Sequence, residues 1–260
     1  MIPDAACPLE AQIANRAITH LSVVSVQLER LLLARAPLQR LHAVLAGGGL
    51  TSASVVHRAI ESGVPLHLTY GMTETASQIT TTEKLTACPS RIHAGKPLPG
   101  RELRISPSGE VQVRGGILAT GVLTSSGQLE SITDAEGWAS TRDVGTLNKN
   151  NELILLGRRD RMIISGGENI HPERIEAILS DVPGVVRVAV VGITHPVFGM
   201  RPVAFVTGNV NVESLRDFLG ERVERFEIPD FFFPWPDSIP IDDAKIDYSQ
   251  LTRLAETMAH

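Results

Sequence analysis

The chain has 260 residues, 43% of them hydrophobic and 20% charged, and carries a formal net charge of −5. That is globular composition, long enough for two cores, and it lacks the basic stripe of a nucleic-acid binder. The longest apolar stretches, such as Val185 to Ile193 with Arg187 inside it, are strand-length, whereas a membrane-spanning helix needs about 20 apolar residues, so no membrane span is expected.

The first twelve residues hold acids and no basic run, which does not read as a secretory signal. Cys7 and Cys88 have neither metal-site spacing nor the count of a disulfide framework. The expected setting is a reducing cytoplasm.

A short helix opens the chain, and strands then alternate with helices. Residues 19–25 read as a strand, 26–35 as an amphipathic helix and 41–48 as an apolar strand running into glycines. Residues 52–63 read as a helix with Ser52 as its N-cap and Gly63 as its stop. Residues 65–71 make a third strand. This alternation predicts a parallel sheet with helical crossovers.

After residue 100 the pattern changes. Two alternating runs around Pro107, Ser108 and Gly109 predict a hairpin, and residues 152–167 read as a second hairpin-like unit. A compact α+β stretch follows. A helix opens at Pro172, strands lie near 186–193 and 201–208, a helix near 212–223, and a closing helix begins near Lys245. The domain boundary is expected near Arg158 to Asp160, which gives domains 1–158 and 159–260.

Several short constellations could carry chemistry. Tyr70-Gly71-Met72-Thr73-Glu74 follows an apolar strand, where open parallel sheets place ligand-binding loops. Thr73 can bond a phosphate oxygen, Glu74 can hold Mg²⁺ and Tyr70 offers a flat face to a base. The same residues also read as a solvated loop with a capping Thr. Asp143, in a turn bracketed by glycines, can accept from both hydroxyls of a ribose, or can simply bond its own backbone. Arg158 could add a charged donor to the same sugar, or form a surface ion pair.

Gly166 and Gly167 permit close backbone approach to a ligand, or a tight connection between strand and helix. Lys245 sits near the chain end among Asp242, Asp243 and Asp247, which could satisfy it.

The order of these motifs is more telling than any one of them. Tyr-Gly-x-Thr-Glu at 70–74 is followed by Gly-Lys-Pro-Leu-Pro-Gly at 95–100 and Gly-Glu-Val-Gln-Val-Arg-Gly at 109–115. Then come Gly137-Trp138, Asp143, Gly-Arg-x-Asp at 157–160, the glycine pair and the isolated Lys245. This series resembles the adenylate-forming (acyl/aryl-CoA synthetase, AMP-binding) superfamily. The stretch from Ile163 to Ile170 with Pro172, and Thr141-Arg142-Asp143 where most members have Thr-Gly-Asp, look most like the o-succinylbenzoate–CoA ligases of menaquinone biosynthesis.

The resemblance implies an α/β fold. It would comprise the end of the large AMP-binding domain, a parallel sheet plus small barrel-like hairpins, followed by a small mobile α+β domain. It implies a two-step ligase that uses ATP with Mg²⁺, a small carboxylic acid and CoA, with no nucleic-acid partner; a homo-oligomer is compatible with it. Thr73 and Glu74 would bind phosphate and Mg²⁺. Tyr70 and Gly71 would lie at adenine, Asp143 and Arg158 at ribose, and Gly47, Gly48 and Gly49 would wall the adenine and acyl pockets.

Asp160 would be the hinge, Lys245 would bridge the substrate carboxylate and the α-phosphate, and Gly166 and Gly167 would line the pantetheine path. The superfamily's Ser/Thr/Gly-rich phosphate loop has no counterpart before residue 49, which predicts an N-terminally truncated and poorly active chain. Ala244 replaces the Gly that commonly precedes the lysine. The other expectations are a ligase for a different aryl or fatty acid, with Ala76 to Gln78 contributing to the choice of acid, and a non-catalytic fragment that binds a partner.

Overall fold

The computed structural model describes residues 7–15, 17–241 and 246–259. The chain divides into two compact units, Met1–Leu155 and Leu156–His260.

The first unit begins with α1 (Leu9–Asn15), β1 (His20–Val24), α2 (Ser25–Leu33), β2 (Ala43–Gly47), α3 (Ala53–Glu61), β3 (Leu66–Gly71), β4 (Gln78–Thr81) and β5 (Lys96–Pro97). The five strands form one sheet in chain order. β1, β2 and β3 are parallel, and β4 and β5 add antiparallel. Helices α2 and α3 bury Leu28, Leu31, Val55, Val56 and Ala59 in one core with Val44, Leu66 and Leu68 of the sheet. The Ser52 hydroxyl accepts from the Val55 N–H at 3.4 Å, and Gly63, in a left-handed conformation, lets the chain leave the helix.

Next come β6 (Arg101–Ile105), β7 (Glu110–Gly115), the short hairpin of β8 (Val122–Leu123) and β9 (Leu129–Glu130), β10 (Ala139–Leu147) and β11 (Leu153–Arg158). β6 and β7 form the expected hairpin, and the second sheet runs β11-β10-β7-β6. The division between the units falls inside β11.

The second unit holds β12 (Ile163–Ser165), β13 (Glu168–Ile170), α4 (Pro172–Leu179), β14 (Val185–His195), β15 (Gly199–Gly208), α5 (Val212–Gly220), β16 (Phe232–Pro234) and α6 (Tyr248–Met258). Its sheet runs β13-β12-β15-β14, with β16 parallel to β15. Alternate residues of the β14–β15 hairpin serve two cores. Val188, Val190 and Val206 pack with α4 and α5, while Ala189, Val191, Val203 and Phe205 pack with Trp235 and α6. A strand covered on both faces reads as a continuous apolar run, which is why these segments show no polar alternation.

Two expectations change. Residues 152–167 do not form a hairpin: β11 pairs with β10, whereas β12 pairs with β13 and β15, because a 3₁₀ turn at Arg159–Arg161 separates them. Asp143 lies within strand β10 and not in a turn, for reasons that belong to the site. Among the described residues no helix is long and apolar enough to cross a membrane.

Candidate functional site

In the first unit the glycines at 47–49 and the segment 70–74 lie across the C-terminal ends of the parallel strands β2 and β3, with Gly47, Tyr70 and Gly71 still inside them. Gly47 is held to its size by β3, since a Cβ there would press on the Thr69 side chain and carbonyl. Gly48 is left-handed, with φ +75°, and Gly49 faces a small, mostly apolar cleft shared with Ala46, Leu68, Thr69 and Ala94.

Beyond β3 the chain makes one 3₁₀ turn, Thr73–Thr75, closed by Ala76 at φ 56°. Buried Thr75 stabilises this turn. Its hydroxyl lies 2.9 Å from the Met72 carbonyl and 2.8 Å from that of Ser77. The Glu74 carbonyl is fixed by the Ala119 N–H at 2.7 Å. With the backbone so anchored, Thr73 is left exposed and Glu74 half-buried. Gly71 cannot be enlarged, because a Cβ would run into the Ser77 carbonyl.

Tyr70 is buried, only 7% exposed, in a core with Ile79, Val111 and Ala139. Its hydroxyl donates to Asp143 Oδ2 at 2.6 Å across 73 residues of sequence. The structure therefore brings together two residues singled out for the adenine and the ribose of one nucleotide. It presents Tyr70 through its hydroxyl, with most of the ring in the core.

Asp143 reaches this position through a bulge. The register between β10 and β7 shifts between Ser140 and Val144, and Arg142 adopts a left-handed φ of 63°. Three bonds hold the bulge. Thr141 Oγ1 donates to the Val111 carbonyl at 2.8 Å, the Asp143 N–H donates to Thr141 Oγ1 at 3.1 Å, and the Arg142 N–H donates to Glu110 Oε1 at 2.9 Å. Bulges re-aim a side chain out of the regular alternation of a strand. Glu110 and Thr141, both buried, were given no role of their own from the sequence, although Glu110 stands in the Gly-Glu-Val motif at 109–111 and Thr141 in the Thr-Arg-Asp motif at 141–143.

Trp138, of the Gly-Trp pair, is clamped by the Arg104 and Arg114 guanidinium groups at 4.2 and 4.6 Å from its ring centre. Its place is therefore structural, at the start of the strand that bears Asp143.

In the second unit Arg158 donates from Nε and Nη2 to both carboxylate oxygens of Asp160, at 3.2 and 3.0 Å. The candidate ribose ligand and the candidate hinge thus pair with each other. Both are well exposed, so the pair itself adds little stability. Gly157 passes so close to the Glu173 carboxylate that a Cβ would collide with it. Burial pushes the Glu173 carboxyl above its ordinary range, with the Arg161 guanidinium acting against that shift.

Gly166 and Gly167, at φ 60° and 91°, are the two central residues of the turn between β12 and β13, flanked by the Ser165–Glu168 pair. A two-residue hairpin with both φ values positive favours glycine at these positions. The turn is fixed from outside: the Gly166 N–H donates to the Phe198 carbonyl at 2.8 Å, and Arg201 Nη1 donates to Ser165 Oγ at 3.3 Å. A Cβ on Gly167 would meet nothing within 4 Å, so the backbone there borders open space. Lys245 lies outside the described residues.

Two family models match the chain. That of the AMP-binding enzyme covers residues 2–129, and that of the AMP-binding enzyme C-terminal domain covers residues 174–242. The 2-succinylbenzoate–CoA ligase of Escherichia coli (strain K12) is 35% identical over 244 residues, which is 94% of this chain and 52% of the relative. That of Bacillus cereus (strain Q1) is 37% identical over 229 residues, 83% and 47% respectively. The chain spans about half the length of the curated relatives it matches.

Among solved structures, o-succinylbenzoate CoA synthetase from Bacillus subtilis in complex with the acyl-adenylate intermediate OSB-AMP aligns with a TM-score of 0.82 at 31% identity. The alignment covers 93% of this chain and 52% of that one. A point variant of the Escherichia coli enzyme with bound OSB-AMS gives 0.81 at 33% identity, covering 97% and 54%. With both of the family's domain models in order along it, and with the motif residues placed as described, the chain belongs to the AMP-binding enzyme family.

Proposed function

We propose that the chain carries the nucleotide-binding end of the large domain and the small C-terminal domain of an ATP-dependent acid–CoA ligase, with 2-succinylbenzoate as the acid. The observation that carries this reading is the Tyr70 hydroxyl on the Asp143 carboxylate, beside the Thr73–Glu74 turn at the C-terminal end of β3. It occurs in a chain whose relatives bear the name 2-succinylbenzoate–CoA ligase.

In the first step the acid's carboxylate oxygen attacks the α-phosphorus of ATP, and pyrophosphate leaves. In the second, the CoA thiol attacks the acyl carbon and AMP leaves. Neither step needs a nucleophile from the protein, so what the chain supplies is alignment and placed charge.

In this reading Asp143 accepts from the ribose hydroxyls, with Tyr70 fixing the carboxylate at the edge of the adenine site. Arg158 adds a donor to the sugar once exchanged from Asp160, the residue about which the small domain turns. Thr73 donates to a phosphate oxygen. Glu74 would hold Mg²⁺ through its single carboxylate, and the ion would supply positive charge at the nucleotide's phosphates. Lys245 bridges the attacking carboxylate and the α-phosphate in the first step. The open space beside Gly167 supports a path for the narrow thioalkyl arm of CoA.

Calorimetric titration of the 260-residue chain with a sulfamoyl mimic of the succinylbenzoyl adenylate tests the reading. Asp143→Ala should weaken binding about ten- to a hundredfold, the worth of hydrogen bonds to a charged acceptor. A chain that binds the mimic no better than a fatty-acyl counterpart refutes the choice of acid. Failure to bind any adenylate refutes the ligase reading.

A further inference from the structure

The bulge that presents Asp143 contains a side chain that the fold does not use. Arg142 stands at φ 63°, in the left-handed region where a Cβ is crowded and glycine fits without strain. Its part in the bulge is played by its backbone alone, whose N–H donates to Glu110 Oε1 at 2.9 Å. The side chain is exposed. Among the described residues its guanidinium makes no ion pair, hydrogen bond or ring contact, although the next residue along the chain is a carboxylate. A long cation at this position therefore strains the backbone and gains no contact within the first unit. Strained residues of this kind cluster where a ligand is held.

The charges of the site point the same way. Its segments in the first unit, residues 47–49, 70–78, 109–111 and 141–145, carry three carboxylates, Glu74, Glu110 and Asp143, and one cation, Arg142. Glu110 is buried beneath the bulge. Asp143, with the Tyr70 hydroxyl at 2.6 Å, and the half-buried Glu74 remain as negative charge toward a ligand. A phosphate brought to such a rim is repelled unless a cation faces it. Arg142 is one Cα step, about 3.8 Å, from Asp143. Its guanidinium is always charged, and its paired N–H donors match two oxygens of one phosphate.

We propose that Arg142 binds the phosphate of the nucleotide whose ribose Asp143 holds, and so gives the site its preference for a nucleotide over a nucleoside. This rests on the reading of the first unit as the nucleotide-binding end of a ligase. The unpaired cation on a left-handed residue is a property of the fold by itself.

The test is calorimetric titration of the 260-residue chain with AMP and with adenosine, in wild type, Arg142→Gly, Arg142→Ala and Arg142→Lys. AMP affinity should fall about tenfold in Arg142→Gly and Arg142→Ala, between the worth of an exposed ion pair and that of a buried charged hydrogen bond. Adenosine affinity should change less than about twofold. Arg142→Lys keeps the charge without the paired donors and should lie between wild type and Arg142→Ala. Arg142→Gly relieves the backbone, so weaker AMP binding in that variant does not come from unfolding; denaturant titration read by the buried Trp138 checks this.

AMP binding unchanged in Arg142→Ala overturns the proposal, as does an equal loss for AMP and adenosine, which would mean that the residue serves only the placing of Asp143. Wild type that binds AMP no better than adenosine also overturns it. Wild type that binds neither overturns the nucleotide-site reading, and this contact with it.

Discussion

Arg142→Gly should stabilise the first unit. Arg142 holds φ at 63° in the bulge that presents Asp143, and a side chain in that region costs about 1–2 kcal/mol. Glycine removes this cost but brings extra freedom in the unfolded chain worth about 0.5–1 kcal/mol against it. The Arg142 side chain is exposed, and its N–H bond to Glu110 needs no side chain, so little else is lost. The net expectation is a gain of about 0.5–1 kcal/mol, or about 1–4 °C in Tm for a unit of this size.

The molecule provides its own reporters. Trp138 is buried in the first unit and Trp235 in the second, so denaturant titration in a Trp235→Phe background reads the first unit through Trp138 fluorescence. Arg142→Ala is the control. It keeps a Cβ and therefore the strain, and should lie within about 0.5 kcal/mol of the parent. Destabilisation by Arg142→Gly, or equal stabilisation by Arg142→Ala, would refute the assignment of strain to the backbone of the bulge.

Glu110→Ala should destabilise the first unit by about 1–3 kcal/mol, because the Arg142 N–H loses its acceptor; the same fluorescence titration reads it, and mimic affinity should fall with it. In the complete ligase reaction Lys245→Ala should slow acyl-adenylate formation by about 3 kcal/mol or more in barrier while sparing thioester formation, checked by single-turnover measurement of each step. Gly167→Leu should cost about 1–2 kcal/mol in a melting curve from its left-handed φ, and depress thioester formation more than adenylation; equal loss in both would mean that the glycine serves the turn alone.

Burial lowers the His171 pKa below its ordinary value of 6.5, with Arg174 adding to the shift and Glu227 opposing it. A depressed pKa means that the unfolded chain binds the proton more readily. The His171 contribution is therefore present above about pH 6.5 and is lost as pH falls toward the folded pKa. Denaturation of the second unit between about pH 7.5 and about pH 5, compared with His171→Gln, should show a shallower decline in the variant.

Much of this protein was legible in its sequence, because the relevant signals are local. Apolar periodicity located β1 to β3 and the two helices between them, and a hydroxyl at Ser52 with a glycine at 63 located both ends of α3. The Pro-Ser-Gly run gave the β6–β7 turn. The order of short motifs was enough to reach the family. Other features depended on contacts between residues far apart in the chain.

The sequence could not show that β11 and β12 join different sheets, since both read as strand and only a pairing partner tells them apart. Nor could it place Asp143 on a bulge. An Asp near glycines suits a turn, and only the register shift against β7, with Glu110 and Thr141 holding it, makes that segment part of a strand.

The roles of charged residues were least legible of all. Arg158, Arg159 and Arg161 are alike in a run of sequence, yet one pairs with Asp160 at the surface and one is buried against Tyr248. Which of two similar cations is solvated depends on the carboxylates and ring that long-range packing brings to it. Local sequence therefore determined the elements and their order. Tertiary structure decided the Tyr70–Asp143 bond and the burial of Arg161, because hydrogen bonds and burial depend on distance in space, which separation along the chain does not fix.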